Sequence, residues 1–150
     1  MNKVIVVILL IFSVSSYANT SEKANEFFKK YIQLSDAFDV SVVDLYLDEA
    51  KIHTQRKYPH GLVRGMELSG SKWKQLVVKV MPIAKAQNDK STFSKITIIK
   101  QGDGFKVKSN SYSERKCYQD TGYYMLIKPD PKGSFHIIEE YMETQPESNC

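Results

Sequence analysis

Residues 105–118 separate by parity into two chemically different faces, a pattern that fits a β-strand and no helix. Lys106, Lys108, Asn110, Tyr112, Glu114, Lys116 and Tyr118 make one face, polar and charged. Phe105, Val107, Ser109, Ser111, Ser113, Arg115 and Cys117 make the other. Successive side chains of a strand point to opposite sides, so the first set is expected to meet water and the second to face a core. Three serines in succession on the core side leave volume unfilled. Close-packed interiors disfavour such gaps, so either a large side chain fills them, with Trp73 and Tyr46 as the available fillers, or a cavity lies there.

The neighbouring segments extend this strand into a meander. Residues 92–100 precede it across Gln101-Gly102-Asp103-Gly104, a hairpin loop by its glycines and Asp. Gln119-Asp120-Thr121-Gly122 turns into residues 123–128, and the segment 129–134, with two prolines and a glycine, turns into residues 135–144. The first half reads as helical. Thr20 or Ser21 can cap a helix with a stripe of Ala24, Phe27, Phe28, Tyr31 and Leu34. Asp39 suits the cap of a short second helix burying Val42, Val43, Leu45, Tyr46 and Leu47. Residues 50–57 and 62–68 then run extended around Tyr58-Pro59-His60-Gly61, and Ser69-Gly70-Ser71 opens a third helix through Trp73, Leu76, Val77, Val80, Met81 and Ala84. Pro82 is expected to kink or end that helix. About three helices followed by a four-strand meander make an α+β domain, with the helices on one face of a curved, mostly antiparallel sheet.

The ends of the chain bear on compartment. Lys3, an unbroken apolar run over residues 4–12 and the close Ser16-Tyr17-Ala18 have the form of a secretory signal cut after Ala18. The run is well short of the roughly 20 residues that span a bilayer, so no lasting membrane anchor is expected. The expected division is therefore a signal peptide over residues 1–18, one domain over 19–144 and a tail over 145–150, exported to the periplasm or secreted. The two cysteines, Cys117 and Cys150, are an even count in an oxidising compartment, which favours a bridge. Closing a loop of about 33 residues stabilises a fold by roughly 3 to 4 kcal/mol in the chain-entropy model. Two alternatives stand beside it: Cys117 as a nucleophile, for which no base is in view, and Cys150 pairing between chains.

Charge excludes more than it suggests. The formal balance of +4 falls to about +3 when the segment carrying Lys3 is removed, and the lysines are scattered. No clustered basic stripe of the kind nucleic acid requires is present. The three histidines, His53, His60 and His136, show no metal-ligand spacing, and no Gly-rich phosphate loop or Ser-His-Asp order appears. No cofactor and no metal are implied.

In element order the chain resembles the nuclear transport factor 2-like (NTF2-like, or SnoaL-like) superfamily. The residues that carry the resemblance are Asp44-Leu45-Tyr46-Leu47-Asp48-Glu49-Ala50-Lys51-Ile52, similar to a helix-to-strand passage, Gly70 leading into the Trp73 helix, and Gly133-Ser134-Phe135-His136-Ile137, similar to a glycine turn before a last strand. The resemblance implies a cone-shaped fold with a pocket between helices and sheet. It implies no single activity, because folds of this kind host enzymes, binding modules and interaction domains. The Asp/His or Tyr/Asp pocket pair usual in the superfamily's enzymes has no match here residue by residue.

If the last two hairpins close symmetrically, Cys117, Tyr124 and Glu139 lie side by side inward, with Arg115, Leu126 and Ile137 in the next row and Phe135 and Tyr141 also inward. Glu139 then falls within reach of Arg115, as a ligand anchor or as an internal ion pair. A one-residue bulge reverses the faces and turns Glu140 and His136 inward. The expected ligand-binding set is accordingly Tyr46, Trp73, Ser111, Ser113, Arg115, Tyr124 and Glu139, with His53 and Glu139 as the candidate catalytic groups. Three functions fit: a non-catalytic exported domain binding a small apolar ligand or a protein; a small lyase, isomerase or hydrolase using His53, Tyr124 and Glu139 or Glu140; or an effector, inhibitor or immunity-type interaction protein. A homodimer through the outer sheet face, where Ile99, Tyr112 and Tyr118 are expected, belongs with the last.

Overall fold

One helical layer and one sheet account for the residues that the computed structural model describes, 12–146, with side chains from Thr20 onward. Residues 1–11 of the expected signal segment, and Cys150, lie outside them. Helix α1 spans Phe12–Asp36 and buries Ala24, Phe28 and Tyr31, the expected stripe. It runs through Thr20 and Ser21, so neither caps it. It stops where Phe38 takes a left-handed φ of 53° and the Asp39 amide donates back to Leu34 O at 2.9 Å.

The second helix is a short 3-10 turn, Val40–Leu45, with the Asp39 carboxylate accepting from the Ser41 amide at 2.8 Å. It ends sooner than its apolar residues suggest. Tyr46 is already extended and opens β1, Tyr46–Lys57. Strand β2 follows at Val63–Ser69, and Ser69 caps α2, Gly70–Ala86, by accepting from the Lys72 amide. Pro82 neither ends nor interrupts α2. It removes one backbone donor, and both Pro82 and Val78, whose carbonyl loses that partner, face water, where the carbonyl can be hydrated. Asn88, at φ 48°, closes the helix instead.

The remaining strands are β3 (Ser91–Gln101), β4 (Gly104–Ser113), β5 (Tyr118–Asp120), β6 (Tyr124–Pro129) and β7 (Phe135–Thr144). They join in the order β2-β1-β7-β6-β4-β3, with β5 paired to β4. Only β1 and β7 are parallel, so the sheet is mixed and mostly antiparallel. The helices cover one face. There Phe28, Val42, Leu45 and Val77 meet Ile52, Phe105, Val107, Met125, Ile127 and Ile137. Phe28, Phe105 and Ile137 are at most 2% exposed, and burying a side chain of this kind stabilises by roughly 1.5–3 kcal/mol.

Two departures from the expected register decide which residues reach that core. Residues 105–118 are not one strand: the chain turns at Glu114–Cys117 and folds β5 back on β4, pairing Ser113 with Tyr118 and Ser111 with Asp120. Tyr124 therefore pairs with Lys108, not as Tyr123 with Tyr118, and Met125 and Ile127 face inward in place of Tyr124 and Leu126. In β7 the register shifts between the Ile127–Ile137 and Leu126–Glu139 pairs, which leaves Ile138 as an extra residue. Phe135 and Ile137 stay inward as expected; beyond the bulge Glu140 takes the inner face, and Tyr141 the outer. His136, which precedes the bulge, sits opposite Lys128 and bonds Asp130 outside the core.

Where α2 starts, the backbone touches β1. A Cβ on Gly70 falls 1.9 Å from Leu47 O and 3.0 Å from the Ala50 Cβ. Gly70→Ala is expected to destabilise by about 1–3 kcal/mol or more, the range for overpacking, read as a lowered urea midpoint with an unchanged slope.

Candidate functional site

The inner face of β4 keeps its expected parity, with Phe105, Val107 and Ser109 buried and Ser111 and Ser113 half-buried. Helix α2 does not close over the last two serines. A cavity of about 530 Å³ remains between them and the helices. Its apolar wall is Trp73, Leu76 and Val80 from α2 with Phe93 from β3; its polar wall includes Ser111, Ser113 and Thr54. Tyr31 and Tyr123, 9% and 3% exposed, form the deep end, whereas Arg56, Leu76 and Val80 are exposed at the mouth. Trp73 and Tyr46 do pack together, edge to face at 6.5 Å, yet they do not fill the space.

Behind the deep end lies Glu140, 0% exposed. Tyr46 donates to its Oε2 at 2.6 Å, and Tyr123 and Tyr31 donate to Oε1 at 2.6 and 3.0 Å. Burial pushes the carboxyl above its ordinary value, against three tyrosine hydrogen bonds that pull it down. Burial and the Glu140 charge push the three tyrosines upward in turn. The Trp73 Nε1 and Ser109 Oγ atoms are buried without a hydrogen-bond partner among the described residues.

Asp120 is the other buried carboxylate of the cavity, 2% exposed. Its Oδ1 accepts from the Gly122 amide and its Oδ2 from the Glu143 amide, both at 2.7 Å, which ties β5 to β7. Burial raises its pKa against those two bonds. The neighbouring Glu143 is also pushed up by burial, but hydrogen bonds from Lys57, Tyr141 and Tyr118 outweigh this and hold it below the usual range.

The expected site residues divide between the two sheet faces. Trp73, Ser111 and Ser113 line the cavity, and Tyr46 reaches it indirectly through Glu140. Tyr124 and Glu139 do not. Their bond, Tyr124 Oη donating to Glu139 Oε1 at 2.6 Å, lies on the outer face, where Lys106 Nζ sits 4.0 Å from the Tyr124 ring. That bond and burial push the Tyr124 hydroxyl up to about 12. His53 is on the same outer face, 3.2 Å from Glu67 and 3.9 Å from Glu139, so it does not line the cavity. Arg115 and Cys117 stand in the turn after β4, which separates Arg115 from Glu139; Cys117 has a φ of 47°. The partner expected for Cys117 lies outside the described residues. Tyr118, expected outward, lines the cavity, while Ile99 and Tyr112 are exposed as expected. Among the described residues no group of His, Cys, Asp and Glu is placed to hold a metal.

An α+β cone with a cavity between helix layer and curved sheet defines the class: the chain has the NTF2-like fold. The sequence itself matches no family model and no curated protein. Among solved structures it is similar to an NTF2-like protein with a cystatin-like fold from Novosphingobium aromaticivorans, at 10% identity and a TM-score of 0.61 over 91% of each chain. An NTF2-like protein of unknown function from Pseudomonas putida is similar at 12% identity and a TM-score of 0.63, over 83% of this chain and 85% of that one. A provisionally named ketosteroid isomerase from Shewanella frigidimarina is similar at 16% identity and 0.56, over 79% of this chain and 93% of that one. Identities this low establish the fold and no activity.

The Glu140 cluster makes a signed prediction. A carboxyl whose folded pKa is raised binds its proton more tightly when folded, so its contribution to stability falls as pH rises from the ordinary carboxylate value through the raised one. Denaturation of Glu140→Gln and the parent at acidic and mildly alkaline pH is expected to show the variant gaining relative to the parent as pH rises. Glu140→Ala strands three buried hydroxyls and is expected to cost about 3–5 kcal/mol at acidic pH and less as pH rises.

Proposed function

We propose that the chain is an exported, non-catalytic binding domain whose cavity takes a small, mainly apolar molecule. The observation that carries this reading is the space itself. A cavity of about 530 Å³ with aromatic and aliphatic side chains on one wall, and hydroxyls with charged side chains such as Arg56, Lys116 and Glu143 on the other, lies within the usual range of small-molecule pockets. Its hydroxyls, Ser111, Ser113 and Thr54, supply neutral hydrogen bonds that orient a bound molecule.

The rival reading, a small lyase, isomerase or hydrolase, needs a proton-transfer group within reach of the ligand. His53, Tyr124 and Glu139 stand on the other face of the sheet. Glu140 already accepts three hydroxyls, and both oxygens of Asp120 already accept backbone amides. Glu143, which also lines the cavity, is held by Lys57, Tyr118 and Tyr141. Of the lining carboxylates, Asp120 and Glu143 are thus spent on holding the structure and Asp89 alone has no such bond among the described residues, which favours binding over catalysis.

Trp73 is the chain's single tryptophan and lines the cavity, so its fluorescence reports on this one site. Titration with the dye 1-anilinonaphthalene-8-sulfonate is expected to quench Trp73 saturably. Ser111→Phe with Ser113→Phe, which fills the space, is expected to weaken that binding by about tenfold or more while the fold is kept. Native mass spectra of the protein recovered from its host are expected to show a small molecule released on denaturation. Quenching that survives the filled variant means that the dye sits elsewhere and ends this reading.

A further inference from the structure

Helix α2 presents aliphatic side chains to water on the border of the cavity. Leu76, Val80 and Ile83 are 37%, 43% and 57% exposed, and their spacing of four and three residues puts them in one stripe. Leu76 and Val80 also line the cavity, so the stripe and the mouth are continuous. Lys72, four residues before Leu76, and Lys79, three after Leu76 and four before Ile83, border the stripe on its outer side. Lys85 is carried farther around the helix. Lys74 is engaged with Asp48 at 2.7 Å. No Asp or Glu falls anywhere in α2.

Within α2 the aliphatic stripe is flanked by one sign of charge, and at the adjoining mouth Arg56 and Lys90 outnumber Asp89, so electrostatics selects its partner. We propose that α2 docks on an anionic lipid surface, with Leu76, Val80 and Ile83 entering the headgroup region and Lys72 and Lys79 meeting lipid phosphates. An interfacial helix has this composition: apolar on one side, lysine-rich beside it, too polar to cross a bilayer. A second copy on a two-fold axis that crosses the stripe in the plane of contact sets Lys72 and Lys79 beside their own counterparts, a repulsion that an anionic bilayer replaces with attraction. The inference deepens the pocket reading, and rests on it for one consequence only: with the mouth against the lipid, an apolar molecule passes between membrane and cavity along Leu76 and Val80 without entering water.

The test is flotation or co-sedimentation of the exported protein with two kinds of vesicle, phosphatidylcholine alone and phosphatidylcholine mixed with phosphatidylglycerol, at low and high salt. Binding to the mixed vesicles is expected, with little to the neutral ones, and is expected to weaken with salt. Each lysine at an anionic surface is worth about fivefold in binding, so Lys72→Glu with Lys79→Glu is expected to lower it by about twentyfold or more. Ile83→Asp tests the aliphatic part; the two lysines are solvent-facing, so their variant keeps the test valid should Ile83→Asp fold poorly. Parent and variants share one N-terminus, so any contribution from it cancels in the comparison.

Equal binding to both vesicle types, no binding to either, or charge-reversed protein that binds like the parent overturns the proposal. So does a concentration-dependent dimer that Ile83→Asp dissolves in the absence of vesicle binding, which assigns the stripe to a protein interface. The pocket reading fails separately. Ser111→Phe with Ser113→Phe is expected to keep vesicle binding while losing dye binding, and the α2 variants are expected to do the reverse.

Discussion

A carboxyl group sealed between the helices and the sheet sets the spacing of everything around it. Glu140 on β7 accepts hydroxyls from Tyr31 on α1, Tyr46 at the start of β1 and Tyr123 just before β6. A buried carboxyl without hydrogen bonds is prohibitively costly, so all three tyrosines are held at hydrogen-bonding distance, and with them the three segments they belong to. Tyr31 and Tyr123 also wall the deep end of the cavity. The cluster that fixes α1 over the sheet is therefore what keeps the space beneath α2 from collapsing onto the serines.

How this cluster arises shows what a sequence can and cannot reveal. The alternation along β4 is a local property. It places Phe105, Val107, Ser109, Ser111 and Ser113 in one inward row and narrows the space over the serines to a cavity or a large filling side chain; long-range packing decides for the cavity. The register of β6 and β7 is not local. Tyr123-Tyr124 and Glu139-Glu140 are adjacent pairs of identical residues, and a shift of one position exchanges the members of each pair without altering composition or hydropathy. A four-residue turn at Glu114–Cys117 made that shift in one place and an extra residue at Ile138 in the other. The consequence of such a bulge, Glu140 inward, was foreseeable; its occurrence was not, because Ile138 is as good a strand residue as its neighbours.

A second set of carboxylate–tyrosine bonds lies on the outer face and beside the cavity, and the contrast explains why only one set shapes the fold. Tyr124 bonds Glu139, Tyr141 and Tyr118 bond Glu143, and Lys57 pairs with Glu143 at 2.7 Å. These groups are partly hydrated and exchange protein partners for water at little cost. Breaking one loosens a surface ladder, whereas breaking the Glu140 cluster strands polar atoms in an apolar interior.

Similarity at 10–16% identity fixes an architecture, and architecture leaves the activity open because the same frame carries unrelated chemistry. What distinguishes this chain must then come from side chains that the fold does not require. The Glu140 cluster and the Asp120 bridge are needed to hold the frame. Leu76, Val80 and Ile83 are not: turning three aliphatic side chains of the covering helix toward water adds nothing to stability. Leu76 and Val80 are shared between the cavity and the lysine-bordered face of α2, and it is this position that the proposed lipid docking uses.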